Sequence, residues 1–131
     1  MDIEKTKEYY INYQREDTCQ CDYCQNLIDE IRETYPELAL YLDSIGVDIE
    51  RPFEASLPFE YQKGTWDFPF IQYLVVGNAD DFQETIINNV TVDICTCHPE
   101  AKYKGKHFII ELGPVFVKIL KDKYGFDDEQ C

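Results

Sequence analysis

The sequence predicts an α+β domain: about four mainly antiparallel strands packed against N-terminal helices and one C-terminal helix. Three observations carry that expectation. Apolar residues recur with a helical period over 1–46, with a period of two through much of 51–112, and with a helical period again over 114–125. Helices flanking a run of strands argue for α+β rather than a parallel α/β fold. Short connections between successive strands favour antiparallel pairing. The length, 131 residues, fits one domain, 1–131. Hydrophobic residues make up 44% of the chain, enough for a core without covalent staples.

Residues 3–14 read as a short polar helix with Ile3, Tyr10 and Tyr13 near one face. A stronger helix is expected over 23–34, with Leu27, Ile28 and Ile31 on one stripe and charges opposite. Asp22 is placed to cap it, and Gln25, three residues on, completes a capping box. Pro36 suits the first turn of a third helix that runs to about Ser44, and Gly46 suits its stop. Leu38, Leu42 and Ile45 give that helix its apolar face.

Beyond Arg51 the pattern becomes strand-like. Phe53, Ala55, Leu57 and Phe59 alternate with polar residues, and Pro58 marks an edge or bulge. A Lys63-Gly64 turn leads to a more apolar strand over 68–76. A third strand spans about 86–97, with Val90, Val92 and Ile94 inward, and a fourth spans 107–112. Gly113-Pro114 then opens the last expected helix, 115–124, and an acidic tail follows at 127–131.

The charge balance is 26 acidic against 12 basic residues, a formal net charge of −14. Such a field repels nucleic-acid phosphates and anionic membrane surfaces, so neither is an expected partner. A basic protein partner is compatible with it. No apolar run approaches the roughly 20 residues of a membrane span, and the first residues lack a signal-peptide core. The expected location is the cytoplasm. There, six cysteines are read as metal-bound, redox-active or inert thiols rather than as a disulfide framework.

The distinctive motif is Cys19-Gln20-Cys21-Asp22-Tyr23-Cys24. A two-residue gap lets the Cys21 and Cys24 thiolates converge on one tetrahedral ion. The same gap at a helix N-terminus suits a redox pair. Further ligands are offered by Cys95, Cys97 and His98, with both thiols expected on one face of a strand. This soft donor set fits zinc or copper(I) better than calcium or magnesium. The competing reading is plain packing, since cysteine often serves as a small buried hydrophobe. Cys131 reads as incidental. Lys102, Lys104 and Lys106 form the only basic patch, read as a solvated loop. No P-loop, dinucleotide fingerprint, HExxH or GxSxG element occurs.

The stretch Cys19–Glu54 resembles a family of small uncharacterised bacterial proteins. The resemblance rests on Cys19, Cys21, Tyr23, Cys24 and Asn26, on Pro36, Leu38, Tyr41 and Leu42, and on Gly46, Val47, Asp48, Pro52, Phe53 and Glu54. It implies no activity. The expected function is a non-enzymatic accessory or interaction domain with a structural Cys/His zinc site. The rival expectations are a thiol redox protein or sensor using Cys21 and Cys24, and an immunity-protein-like acidic binder of a basic partner.

Overall fold

The computed structural model of the chain describes residues 1–13 and 18–126. The expected tail 127–131 and residue 14 of the first helix lie outside them. Three helices come first: α1 (Ile3–Ile11), α2 (Asp22–Thr34) and α3 (Pro36–Ser44). Eight strands follow: β1 (Glu54–Ala55), β2 (Phe59–Gln62), β3 (Thr65–Phe68), β4 (Ile71–Val76), β5 (Thr85–Ile87), β6 (Val90–Cys95), β7 (His107–Gly113) and β8 (Val115–Lys118). They form two antiparallel sheets, ordered β1-β4-β7-β6-β5 and β2-β3-β8. The α+β class is therefore as the sequence predicts.

The expected strands are divided where turn residues interrupt them. Pro58 lies in the break between β1 and β2, and Leu57 and Phe59 are exposed rather than inward. Pro69-Phe70 splits the long apolar run into β3 and β4. Asn88 and Asn89, both at positive φ, turn β5 back into β6. That left-handed pair supplies the twist of a tight hairpin, and asparagine tolerates it better than most residues. Ile94, expected to be inward, is partly exposed near the end of β6.

The last expected helix is a strand. Val115 and Val117 are buried, while Phe116 between them is only half-buried. A run this short satisfies both periods, and β-branched valines pairing with β3 decide for the strand. β3–β4 and β7–β8 pass from one sheet to the other side by side. A Cβ at Gly113 would sit 2.1 Å from the Pro69 carbonyl oxygen, so only glycine permits this approach.

The core lies on one face of the larger sheet. Ile71, Tyr73 and Val75 of β4, Val90 and Val92 of β6, and Ile110 and Leu112 of β7 meet Leu27 and Ile31 of α2 and Leu38 and Leu42 of α3. The third helix ends as expected. The Val47 N–H reaches the Leu42 carbonyl at 2.9 Å and the Gly46 N–H reaches that of Asp43 at 3.1 Å. This is a Schellman closure with Gly46 at φ +87. The other face holds a smaller cluster of Leu74, Val76 and Ile109 beside a polar row, Gln72, Glu111 and Asp93.

Helix α1 takes the place of a missing strand. β1 pairs with only Ile71 and Gln72, and among the described residues no strand pairs with that edge of β4 over the other four positions, Tyr73 to Val76. Asp2 N–H bonds the Val76 carbonyl at 2.8 Å, and the Thr6 hydroxyl accepts the Val76 N–H at 3.0 Å. The Tyr10 hydroxyl donates to the Leu74 carbonyl at 2.8 Å. The edge is thus covered by side chains, one of the ways proteins block edge pairing.

Two variants test these constraints. Gly113→Ala drives a methyl into the Pro69 carbonyl and should cost about 3 kcal/mol in urea unfolding; an unchanged midpoint would show that the corner yields freely. Asp67 of β3 is buried, with Oδ1 unpaired, and burial raises its pKa. Its folded-state value thus lies above the unfolded one, so its ionisation weakens the fold and stability falls as pH rises through that window. Asp67→Asn should therefore be more stable than the parent at pH 7, by about 1 kcal/mol. That gain should vanish as pH approaches the unfolded carboxyl value of about 3.9.

Candidate metal centre

The cysteine motif lies where the chain turns into α2. Cys21 is the N-cap, with extended backbone (φ −66, ψ 158), and makes no side-chain capping bond. The expected capping box therefore does not form. Asp22 is instead the first helical residue, and its carboxylate accepts the Phe126 N–H at 3.1 Å. Cys24 sits at the third helical position, beside the cap sulfur. Cys19 precedes the cap on a segment held by two amides: Gln25 Nε2 bonds the Cys19 carbonyl at 2.9 Å, and Gln20 Nε2 bonds that of Thr18 at 2.9 Å.

These placements bring the sulfurs of Cys19, Cys21 and Cys24 within 4.8 Å of one another. A tetrahedral zinc with Zn–S bonds of about 2.3 Å needs sulfurs about 3.8 Å apart. Cys19 is exposed, Cys24 half-buried and Cys21 buried, so the group opens to one side. Burial, the adjacent Cys19 and, to a smaller degree, Glu54 push the Cys24 thiol up to about 12. Without a cation it keeps its proton at neutral pH; a bound divalent ion reverses that preference. The first turn of α2 also favours negative charge.

Cys21 is disulfide-bonded. The other four described cysteines, Cys19, Cys24, Cys95 and Cys97, are free thiols, so none of them is its partner. Metal binding by the group accordingly belongs to the reduced chain.

Cys95, Cys97 and His98 do not join the group. β6 ends at Cys95, so Cys97 does not share a strand face with it. The Cys95 thiol donates to the Cys97 carbonyl at 3.2 Å and lies 3.5 Å from Glu111 Oε1. Gln72 Nε2 donates to the same sulfur at 3.4 Å. Burial, first of all, raises the Cys95 thiol. His98 Nδ1 lies 2.8 Å from the Pro99 carbonyl, and its ring meets the edge of Phe53. Lys102 of the basic patch lines a separate cavity of about 500 Å³ with Lys5, Tyr9, Tyr13, Phe53 and Tyr103. No described cysteine borders it.

Two residues of the motif were not read as part of the site, yet they position it. Asn26 is fully buried; its Nδ2 donates to the Lys118 carbonyl at 2.9 Å and its Oδ1 accepts the Leu120 N–H at 2.9 Å. Tyr23 packs edge-on against Trp66 at 5.5 Å and, tilted, against Phe126 at 5.3 Å. Asp29, one turn further on, takes the Lys123 ammonium at 2.8 Å and the Tyr124 hydroxyl. The segment after β8 thus lies against α2, at Asn26, then at Asp29, and returns to Asp22 and Tyr23 through Phe126. The spacing Cys24-x-Asn26 was the sequence signal, but a role for Asn26 exists only once β8 is in place.

Comparison with protein families, with curated proteins and with solved structures finds no match to this chain. Asn26→Leu should strand one carbonyl and one N–H beside α2 and cost about 2–3 kcal/mol. In hydrogen exchange, the amides of residues 119–126 should lose protection first; uniform loss across the sheet would refute a local clamp.

Proposed function

We propose that this protein is a non-enzymatic accessory or interaction domain of the cytoplasm, with the start of α2 fixed by a zinc ion on Cys19, Cys21 and Cys24. The observation that carries the reading is the convergence of three sulfurs within 4.8 Å at one helix N-terminus. Thiolate donors favour zinc among the abundant divalent ions. The ion would tie the 18–21 segment to α2 and add its binding energy to folding. With a net charge of −14, the partner surface this domain suits is a basic protein.

The disulfide at Cys21 supports a second reading, a thiol redox protein or sensor. Its pairing is not the Cys21–Cys24 bond expected from the spacing, because Cys24 is a free thiol. Peroxide treatment followed by peptide mapping separates the two readings. Reversible oxidation that persists in the presence of zinc supports the redox role, whereas zinc protection of the thiols supports the metal site.

Protein reduced with a phosphine and freed of loose metal should carry about one zinc per chain by elemental analysis. Zinc at a thousandfold excess over its Kd should add about 4 kcal/mol of stability, and Cys24→Ser should abolish most of that gain. A reduced protein that melts at the same temperature with and without zinc would overturn the reading.

A further inference from the structure

We propose that the outer face of the smaller sheet, centred on Asp67, is a docking site for an arginine side chain presented by a basic protein partner. The inference rests on the basic-partner part of the reading above and is independent of the zinc ion.

Strand register defines the face. Phe59 of β2 and Phe116 of β8 stand opposite Asp67 of β3, one on each side. Opposed residues of antiparallel strands project from the same face of a sheet. The alternate residues go the other way: Phe68, Val115 and Val117 enter the core, and Trp66 packs against it. The face that carries Asp67 is therefore the one turned from the core. Tyr61 joins it from the bulge between Glu60 and Gln62, with its ring centroid 5.1 Å from that of Phe116. Phe59 is 52% exposed and Tyr61 57%, whereas Asp67 is only 8% exposed. β2 is an edge strand, paired with β3 alone.

A carboxylate set among aromatic side chains needs a partner, and Asp67 has none within the domain. Its Oδ1 is buried and accepts no hydrogen bond. No ion pair of the described residues includes it, although Lys118 stands on the same face, opposite Thr65. Burial raises its pKa, so the isolated domain holds this charge at a cost to its own stability. An acid placed where it weakens the fold is the pattern expected of a binding group. The rings around it narrow the choice of cation. A guanidinium is planar and weakly hydrated, stacks on aromatic faces and donates two parallel N–H bonds to a carboxylate. An ammonium is more tightly hydrated and gains less from the rings. The net charge of −14 draws such a partner toward the domain.

The test is an NMR amide-shift titration of the full chain with a capped Gly-Arg-Gly peptide at constant ionic strength. The proteins compared are the parent, Asp67→Asn, Phe59→Ala and Glu33→Gln. Saturable shifts should gather at residues 59–68 and 115–118. The citrulline counterpart, which keeps the shape without the charge, should produce none, and the lysine counterpart should bind more weakly. Asp67→Asn should weaken arginine binding about tenfold or more, the scale of a lost hydrogen bond between charged groups. It should also melt above the parent, which separates lost binding from lost folding. Phe59→Ala should weaken binding about threefold, as for an exposed cation–π contact. Glu33→Gln removes an exposed charge from α2 and should bind as the parent does. Parent-like binding by Asp67→Asn overturns the inference. Shifts scattered away from the smaller sheet overturn it too, while leaving a general attraction to basic partners standing. A parent that sediments as a dimer broken by Tyr61→Ala also overturns it, since a second copy then covers the face. Absence of any arginine-dependent shift overturns both this site and the basic-partner reading.

Discussion

Strand β4 is buried from Ile71 to Val76, and each of its backbone groups must be satisfied inside the protein. Most of the architecture follows from that requirement. β7 satisfies one edge along its full length, from Ile71 opposite Leu112 to Val76 opposite His107. The other edge is shared between two residues of β1 and the polar side chains of α1. Because successive side chains of a buried strand point both ways, both faces need cover. α2 and α3 cover one, and the cluster around Ile109 with the Gln72–Glu111 contact occupies the other.

Helix α2 serves three purposes at once, and its faces keep them apart. Leu27 and Ile31 enter the core. Arg32, near its C-terminal end, meets Asp43, Asp48 and Glu50 and so ties the helix to the end of α3 and the loop after it. These are exposed pairs, worth little singly but arranged around one guanidinium. Asp22, Tyr23, Asn26 and Asp29 form the third set, on which the segment after β8 lies. The cysteine group occupies the start of the same helix. Its geometry therefore depends on a helix held from several sides rather than on a loop alone.

Helices α2 and α3 were legible because their apolar stripes, Pro36 and Gly46 are local signals that tertiary contacts reinforce. The last strand was not. Val115, Phe116 and Val117 fit either period, and only pairing with β3, some fifty residues earlier, decides between them. Pro69 and Asn88-Asn89 were visible as residues, yet reading long apolar runs as single strands overrode their turn chemistry. At the site, Cys19, Cys21 and Cys24 were legible because they are close in sequence and a helix start forces them together. The expected second half, Cys95, Cys97 and His98, belongs to a distant segment whose approach no local signal sets. β6 ends at Cys95 and its thiol finds partners locally, so these residues stay apart from the group.

The sealing of β4 by α1 also sets an order in time. A helix of nine residues is marginal on its own in water, so α1 gains a lasting conformation only when it has an edge to cover. That edge lies some sixty residues downstream, and it is itself ordered only by β7, later still. At a synthesis rate on the order of 10 residues per second, α1 spends several seconds outside the ribosome before its docking site exists. A helix made before β4 and β7 thus settles only after them. Until it does, the exposed half of β4 is open to pairing with any strand that arrives first.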